Sequence, residues 1–182
     1  MANSAIQGTS VGVATEAQRG VVNGTDARNL VFGGYGLNFR NVLINGSMLV
    51  NQRGTTTVTA GAEVAVGYTV DRWYALSTGA NVAFARAAGT LSQYVAQFTG
   101  AASVSNISFG QRIEAANSWY LAGGNATLSV DLANSLLTTV TWTAYYANSA
   151  DTFGTRASPT RTQIATGTFT VSSTMTRYST TI

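Results

Sequence analysis

Two runs of sequence decide the fold, Ala126-Thr-Leu-Ser-Val-Asp-Leu132 and Val140-Thr-Trp-Thr-Ala-Tyr-Tyr146. In both runs apolar and polar residues alternate, which is the pattern of a strand with one face towards a core. The first run places all of its alanine, leucine and valine side chains on one face. The second predicts that Trp142 and Tyr146 lie in the core and that Tyr145 points outwards.

Other short runs of β-forming residues surround these two, separated by Gly, Asn and Ser breaks. The further candidate strands are Thr57–Val66, Tyr68–Leu76, Val82–Arg86, Gln93–Phe98, Ser105–Ile113, Gln163–Val171 and Arg177–Ile182. No segment keeps a helical period for three turns, although Ala115–Tyr120 is long enough for a helical turn. Roughly eight or nine short strands predict an all-β fold, an antiparallel β-sandwich of the jelly-roll type.

Residues 1–38 differ from the rest of the chain. They are small, polar and rich in glycine, and they hold no period of either a strand or a helix. Such a segment cannot bury enough apolar area to fold alone. We therefore predict an N-terminal arm over 1–38, which orders against this domain or a neighbouring chain, and a β-sandwich domain over 39–182.

The composition removes most catalytic chemistry. The sequence contains no Cys, no His and no Lys, so thiolate nucleophiles, Ser-His relays, Schiff bases and the commonest metal ligands are excluded. Paired carboxylates remain, but Asp71 adjoins Arg72, and Glu114 lies close to Arg112 in sequence. Ion pairing lowers a carboxyl pKa, whereas a general acid needs it raised. We expect no enzyme activity, no cofactor and no metal site; oxygen ligands for calcium exist, without EF-hand spacing.

The charge and hydropathy of the sequence argue against binding to nucleic acid and against insertion into a membrane. The formal charge is +3, and the ten arginines that produce it are scattered without a run. We therefore expect no nucleic-acid stripe. No apolar run approaches the roughly 18 residues that span a bilayer, and the N-terminus lacks a secretory signal. The expectation is synthesis in the cytoplasm without membrane insertion.

Recognition residues are expected on loops and among adjacent aromatic pairs. An exposed aromatic ring beside Asn, Asp and Arg is typical of a sugar-binding surface, and the polar loop Asn148–Pro159 is the longest connection. Ordinary packing or contact with another subunit are the alternatives for each aromatic residue. The candidate glycan-binding residues are Trp119, Tyr120, Tyr145, Asp151 and Arg156.

Several short pieces, in order along the chain, resemble a sandwich domain of phage tail fibres and related virion appendages. The pieces are Asn41-Val-Leu-Ile-Asn-Gly46, Gln52-Arg-Gly54, Tyr68-Thr-Val-Asp-Arg-Trp73, Phe109-Gly-Gln-Arg-Ile-Glu114 and Leu121-Ala-Gly-Gly-Asn-Ala-Thr-Leu-Ser-Val130. The arm segments 14–20 and 24–31 are similar to fibre-shaft segments. Two departures are Asn51, where a Trp often stands, and the end of the chain at Ile182, where the family continues.

The resemblance implies a galactose-binding-like jelly roll, truncated at Ile182 or closed by a strand from elsewhere. It also implies a virion structural protein, most simply a tail fibre or host-contacting appendage. The arm would bind other virion proteins, the chain would form a homotrimer, and the sandwich would contact a host surface glycan. A capsid decoration or head-fibre protein and a free carbohydrate-binding module are the alternatives. The signature residues are expected to have structural roles, and glycan contact is expected from the loops.

Overall fold

The structure, a computed structural model, describes residues 41–54, 57–64, 67–118 and 121–182. The predicted arm over 1–38 lies outside the described residues. The described chain is all-β, with the strands and the one short helix that follow: β1 (Thr57–Val58), β2 (Trp73–Thr78), β3 (Val82–Ala88), β4 (Tyr94–Thr99), β5 (Asn106–Gln111), α1 (Ala115–Ser118), β6 (Thr127–Leu132), β7 (Thr139–Ala147), β8 (Arg161–Thr170) and β9 (Thr176–Thr181).

Every pairing between these strands is antiparallel. One sheet has the order β1-β3-β4, and three further pairs are β2-β5, β6-β9 and β7-β8. β2 and β6 each pair with a strand that is distant in sequence, so the chain crosses between layers instead of forming a simple meander. The prediction of an antiparallel all-β fold is confirmed, and the layers are consistent with a sandwich.

The main core lies between the β1-β3-β4 sheet and the β2-β5 pair. Its buried apolar residues are Met48, Val58, Val70, Ala75, Val82 and Phe84. Aromatic rings join the two layers: Phe98 on β4 meets Phe109 on β5 edge to face at 5.2 Å, and Phe109 stacks on Trp73 of β2 at 4.9 Å. These contacts hold the end of β2 against the end of β5.

Two predicted strands are shorter than expected. Pairing in the run predicted over 57–66 stops at Val58, and Ala60 makes an isolated parallel bridge to Ser77. The run predicted from Tyr68 becomes a regular strand only at Trp73. A tight turn precedes it, in which the Trp73 N–H donates to the Val70 carbonyl at 3.0 Å, and Arg72 has a φ of +77°. A left-handed residue interrupts a strand because it reverses the local direction of the chain.

The predicted alternation of β7 holds as far as Ala144 and then fails. The register of β7 on β8 shifts between Ala144 and Tyr145, which leaves Ile164 of β8 opposite no residue. Such a bulge increases the local twist and redirects side chains. Tyr146 is consequently 54% exposed and Tyr145 41% exposed. The prediction that Tyr146 belongs to the core is wrong, and the rule of one buried residue per aromatic pair fails at this position.

Trp142 faces inwards as predicted, but it is half-buried. Its ring lies over Gly167, its partner in register, and 6.4 Å from the Phe169 ring, which meets Tyr178 of β9 at 5.4 Å. Trp142 thus belongs to a second aromatic cluster, which joins β7-β8 to β6-β9.

We expect Trp142→Ala to lower the free energy of unfolding by about 3 kcal/mol, since it removes the largest ring of this cluster. Thr141→Ala, one residue away on the exposed face, is the matched control and should change it by about 0.5 kcal/mol or less. Denaturant unfolding followed by far-UV circular dichroism measures both. A loss below about 1 kcal/mol for Trp142→Ala would contradict a packing role for this ring.

Candidate functional site

A cleft of about 440 Å³ opens beside the paired ends of β2 and β5. Segments that are far apart in sequence contribute to its walls. The lining residues are Arg53, Tyr68, Asp71, Arg72, Arg112, Ile113, Glu114, Asp151 and Phe153.

Two walls of the cleft are the segment just before β2 and the segment just after β5, and the antiparallel register of these strands brings them together. Trp73, the first residue of β2, pairs with Gln111, the last residue of β5. Arg72 and Arg112 immediately flank this pair, so they leave the sheet at the same end. Side chains at the ends of paired strands are held by a rigid scaffold, which is the usual position of a binding site.

The third wall is the connection between β7 and β8. Two isolated bridges, Ser149 to Thr152 and Gly154 to Pro159, fold this loop back on itself. Asp151 then accepts a hydrogen bond from the N–H of Ala115 at 2.7 Å, at the first residue of α1. This contact fixes Asp151 and its neighbour Phe153 against the segment that follows β5.

The ion pair in the cleft differs from the pairs that sequence proximity predicted. Arg72 donates to the carboxylate of Glu114, whereas the prediction paired Arg72 with Asp71 and Glu114 with Arg112. The hydrogen bond from Arg72 is the largest cause of a lowered pKa at Glu114. Glu114 is thus held as a carboxylate, as expected for a paired acid, and is unsuited to act as a general acid. Both partners are partly exposed, so the pair adds little stability.

Asp71 is held by one backbone N–H and one side-chain amide. Its carboxylate accepts a hydrogen bond from the Gln52 N–H at 2.7 Å, and its carbonyl accepts one from Asn45 Nδ2 at 3.0 Å. Asp71 and Arg72 lie in the tight turn before β2, and the positive φ of Arg72 separates the directions of their side chains, so the two residues find different partners. The carboxylate keeps further lone pairs free to accept hydrogen bonds in the cleft.

The two other cleft arginines lie over aromatic rings. The guanidinium carbon of Arg53 is 5.5 Å from the Tyr68 ring centre. That of Arg112 is 5.0 Å from the Phe153 ring and 5.8 Å from the Tyr74 ring. These distances are within the range of cation–π attraction. Three arginines and three carboxylates therefore line the cleft, and their formal charges balance.

The structure brings one of the predicted recognition residues, Asp151, to this cleft. Trp119 and Tyr120 lie outside the described residues. Tyr145 is exposed on β7, with the Arg161 guanidinium 4.4 Å from its ring, and it does not line the cleft. The assignment of these residues to glycan contact stays a prediction.

Arg156 holds the β7-β8 loop in place. Its side chain donates to the Ser77 carbonyl at 2.9 Å and to Thr78 Oγ1, and its N–H donates to the Glu63 carboxylate at 2.8 Å. Its hydrogen-bonding groups are largely occupied by β2 and the segment before it. A direct role in ligand contact would therefore require these bonds to break.

The sequence predicts structural roles for the other cleft residues. Arg53, the 68–73 piece and the 109–114 piece belong to the motif pieces, but nothing in their spacing predicts that they meet. Their order along the chain was the available signal, since pieces that recur together often share one location in the fold. Phe153 carried no separate signal within its loop.

Comparisons with protein-family models, with curated proteins and with solved structures find no match for this chain. Across the described ranges, no Asp, Glu, His or Cys side chains form a group of three that could hold a metal ion. Helices long and apolar enough to cross a membrane are also absent from the part of the chain that the structure describes.

Proposed function

We propose that this chain is a virion structural protein, a phage tail fibre or similar host-contacting appendage, whose β-sandwich binds a host glycan without catalysis. The cleft is the observation that carries the recognition part of this proposal. The ordered motif pieces and the missing catalytic residue types support the appendage part. The arm would attach the chain to other virion proteins and leave the sandwich displayed.

The groups in the cleft match the chemistry of sugars. Tyr68 and Phe153 contribute partly exposed aromatic rings beside Arg53 and Arg112, Asp71 and Asp151 accept hydrogen bonds from hydroxyls, and the arginines donate them. Glu114, kept ionised by Arg72, adds another acceptor and no proton to give. A shallow site of this kind binds a single sugar weakly, with a dissociation constant of about 1 mM.

Attachment to the particle is tested directly by mass spectrometry and electron microscopy of purified virions. The proposal expects the chain in the particle, at the tail, in a few to a few dozen copies. Hundreds of copies on the capsid would favour the alternative of a decoration or head-fibre protein. Absence from purified virions, together with sugar binding by an isolated monomer, would favour a free carbohydrate-binding module and overturn the appendage proposal.

We expect the intact chain to form a homotrimer in solution. Large apolar side chains are exposed around the β6-to-β8 region, including Leu136 at 87% and Leu137 at 60%, and the apolar residues of the predicted arm need a partner surface. Trimer valency would raise weak single-site binding through effective concentration. Light scattering at micromolar concentration measures the mass, and a monomer would contradict this prediction.

A further inference from the structure

We propose that the cleft selects sugars bearing a carboxylate and that Arg112 binds this group. This inference rests on the proposed glycan binding and deepens it by naming the class of sugar. It depends on the state of the Arg112 side chain, on the charges around it and on the backbone of the cleft walls.

Arg112 is half-buried. Its guanidinium carbon lies 5.0 Å from the Phe153 ring centre and 5.8 Å from the Tyr74 ring centre, and the described residues supply it with neither a hydrogen-bond acceptor nor an ion-pair partner. Arg86 differs, because it lies 4.1 Å from the Tyr94 ring but also donates to the carbonyls of Met48 and Leu49. Arg161 is also half-buried over a ring, that of Tyr145, but it does not line the cleft, so the position of Arg112 in the cleft is what distinguishes it. A guanidinium carries five N–H donors, so Arg112, which lines the cleft, can donate to an acceptor bound there.

The neighbouring charges favour a carboxylated sugar over a free phosphate or sulfate ion. Arg72 and Glu114 neutralise each other, which leaves two arginines and the carboxylates of Asp71 and Asp151. A phosphate would meet these two carboxylates without offering them enough donors. A uronic acid brings one negative charge for the planar fork of Arg112 and several hydroxyls that donate to Asp71 and Asp151.

Two cleft residues have a backbone conformation that non-glycine residues rarely adopt. Arg72 and Asp151 have φ values of +77° and +59° and line the cleft, whereas Asn45 and Met48, at +56° and +55°, lie outside it. Aspartate tolerates this conformation through its short polar side chain, whereas arginine gains no such compensation. Strained residues persist where the surroundings hold them, and they concentrate at binding sites.

Three probes titrated into the intact chain distinguish the possible ligands: sodium galacturonate, galactose and inorganic phosphate. Binding is followed by NMR chemical-shift changes. We expect galacturonate to bind at least about 10-fold more tightly than galactose, as a charged hydrogen-bonded pair contributes that much. Phosphate should bind more weakly than galacturonate.

The variants separate a ligand contact from a structural role. Arg112→Gln should weaken galacturonate binding at least about 10-fold and leave galactose binding nearly unchanged. Arg112→Lys keeps the positive charge but loses the planar fork of N–H donors, so its affinity for galacturonate should lie between those of the wild type and Arg112→Gln. Arg161→Gln is the matched control, because Arg161 lies over the Tyr145 ring and does not line the cleft. Circular dichroism confirms the fold of each variant.

The results that would overturn the inference are distinct from those that bear on the virion. Equal affinity for galacturonate and galactose would reject acidic-sugar selection and keep glycan binding. Phosphate binding as tight as galacturonate binding would make the cleft a general oxyanion site. Lack of binding by all three probes, or an unchanged Arg112→Gln variant, would reject the role of Arg112, while presence in the virion would still support the appendage.

Discussion

Trp73→Ala is expected to lower the free energy of unfolding by about 3–5 kcal/mol, the largest loss from any single truncation considered for this chain. The indole stacks on Phe109 of the neighbouring strand β5 at 4.9 Å. Its Nε1 donates to the carbonyls of Ile44 and Asn45, at 2.9 and 3.2 Å. One side chain thus joins the core to the 44–50 segment, and alanine would lose both interactions.

Trp73→Phe separates the two contributions. Phenylalanine keeps most of the stacking on Phe109 and loses the donor, which would leave carbonyl groups without this partner. We expect a loss of about 1–2 kcal/mol for this variant. Chemical denaturation followed by far-UV circular dichroism is the suitable measurement, because both substitutions change the intrinsic fluorescence. Equal losses for the alanine and phenylalanine variants would show that the hydrogen bonds, and not the packing, dominate.

Gly79→Ala is expected to lower the free energy of unfolding by about 2–4 kcal/mol, through two effects that add. Gly79 has a φ of +93°, where a Cβ atom is strained. A Cβ at this position would also run into the carbonyl oxygen of Ser103, and it would crowd the N–H of Ser105 at 3.1 Å. That N–H donates to the Thr78 carbonyl at 2.9 Å, so the clashing backbone cannot move without loss of this bond.

Gly61→Ala is the matched control for Gly79→Ala. Gly61 also has a positive φ, +77°, but a Cβ there would meet no atom within 4 Å. Gly61→Ala should therefore lower the free energy of unfolding by about 1 kcal/mol, from backbone strain alone. The thermal midpoint and the denaturant midpoint of the two variants report the difference. If the two variants lose the same stability, the close approach of Ser103 has no energetic consequence.

Packing at the β2-β5 end of the core should affect ligand binding in the cleft. Trp73, the first residue of β2, pairs with Gln111, the last residue of β5. Arg72 precedes Trp73 in the chain, and Arg112 follows Gln111. A variant that loosens this pair should also loosen the walls of the cleft. Sugar binding by Trp73→Phe would therefore be a sensitive readout of how far the β2-β5 end positions the two arginines.

The fold class could be predicted from the sequence because burial with a period of two is a local property of a strand. The run at β6 shows the expected pattern, with the side chains of Leu128 and Val130 less exposed than those of Thr127 and Ser129. Local signals also indicated the helical turn, realised over Ala115–Ser118. The missing residue types restricted the chemistry without any structure.

The tertiary structure alone decided the features that depend on which segments meet. Tyr146 became exposed because the bulge depends on pairing with β8, which the sequence of β7 does not encode. Arg72 found Glu114, 42 positions away, because two strands end side by side. The cleft combines walls from distant loops, and Arg156 of the β7-β8 loop donates a hydrogen bond to the Ser77 carbonyl of β2. Composition and alternation determine which residues can be buried or can bind, whereas strand pairing and chain crossing determine which of them come together.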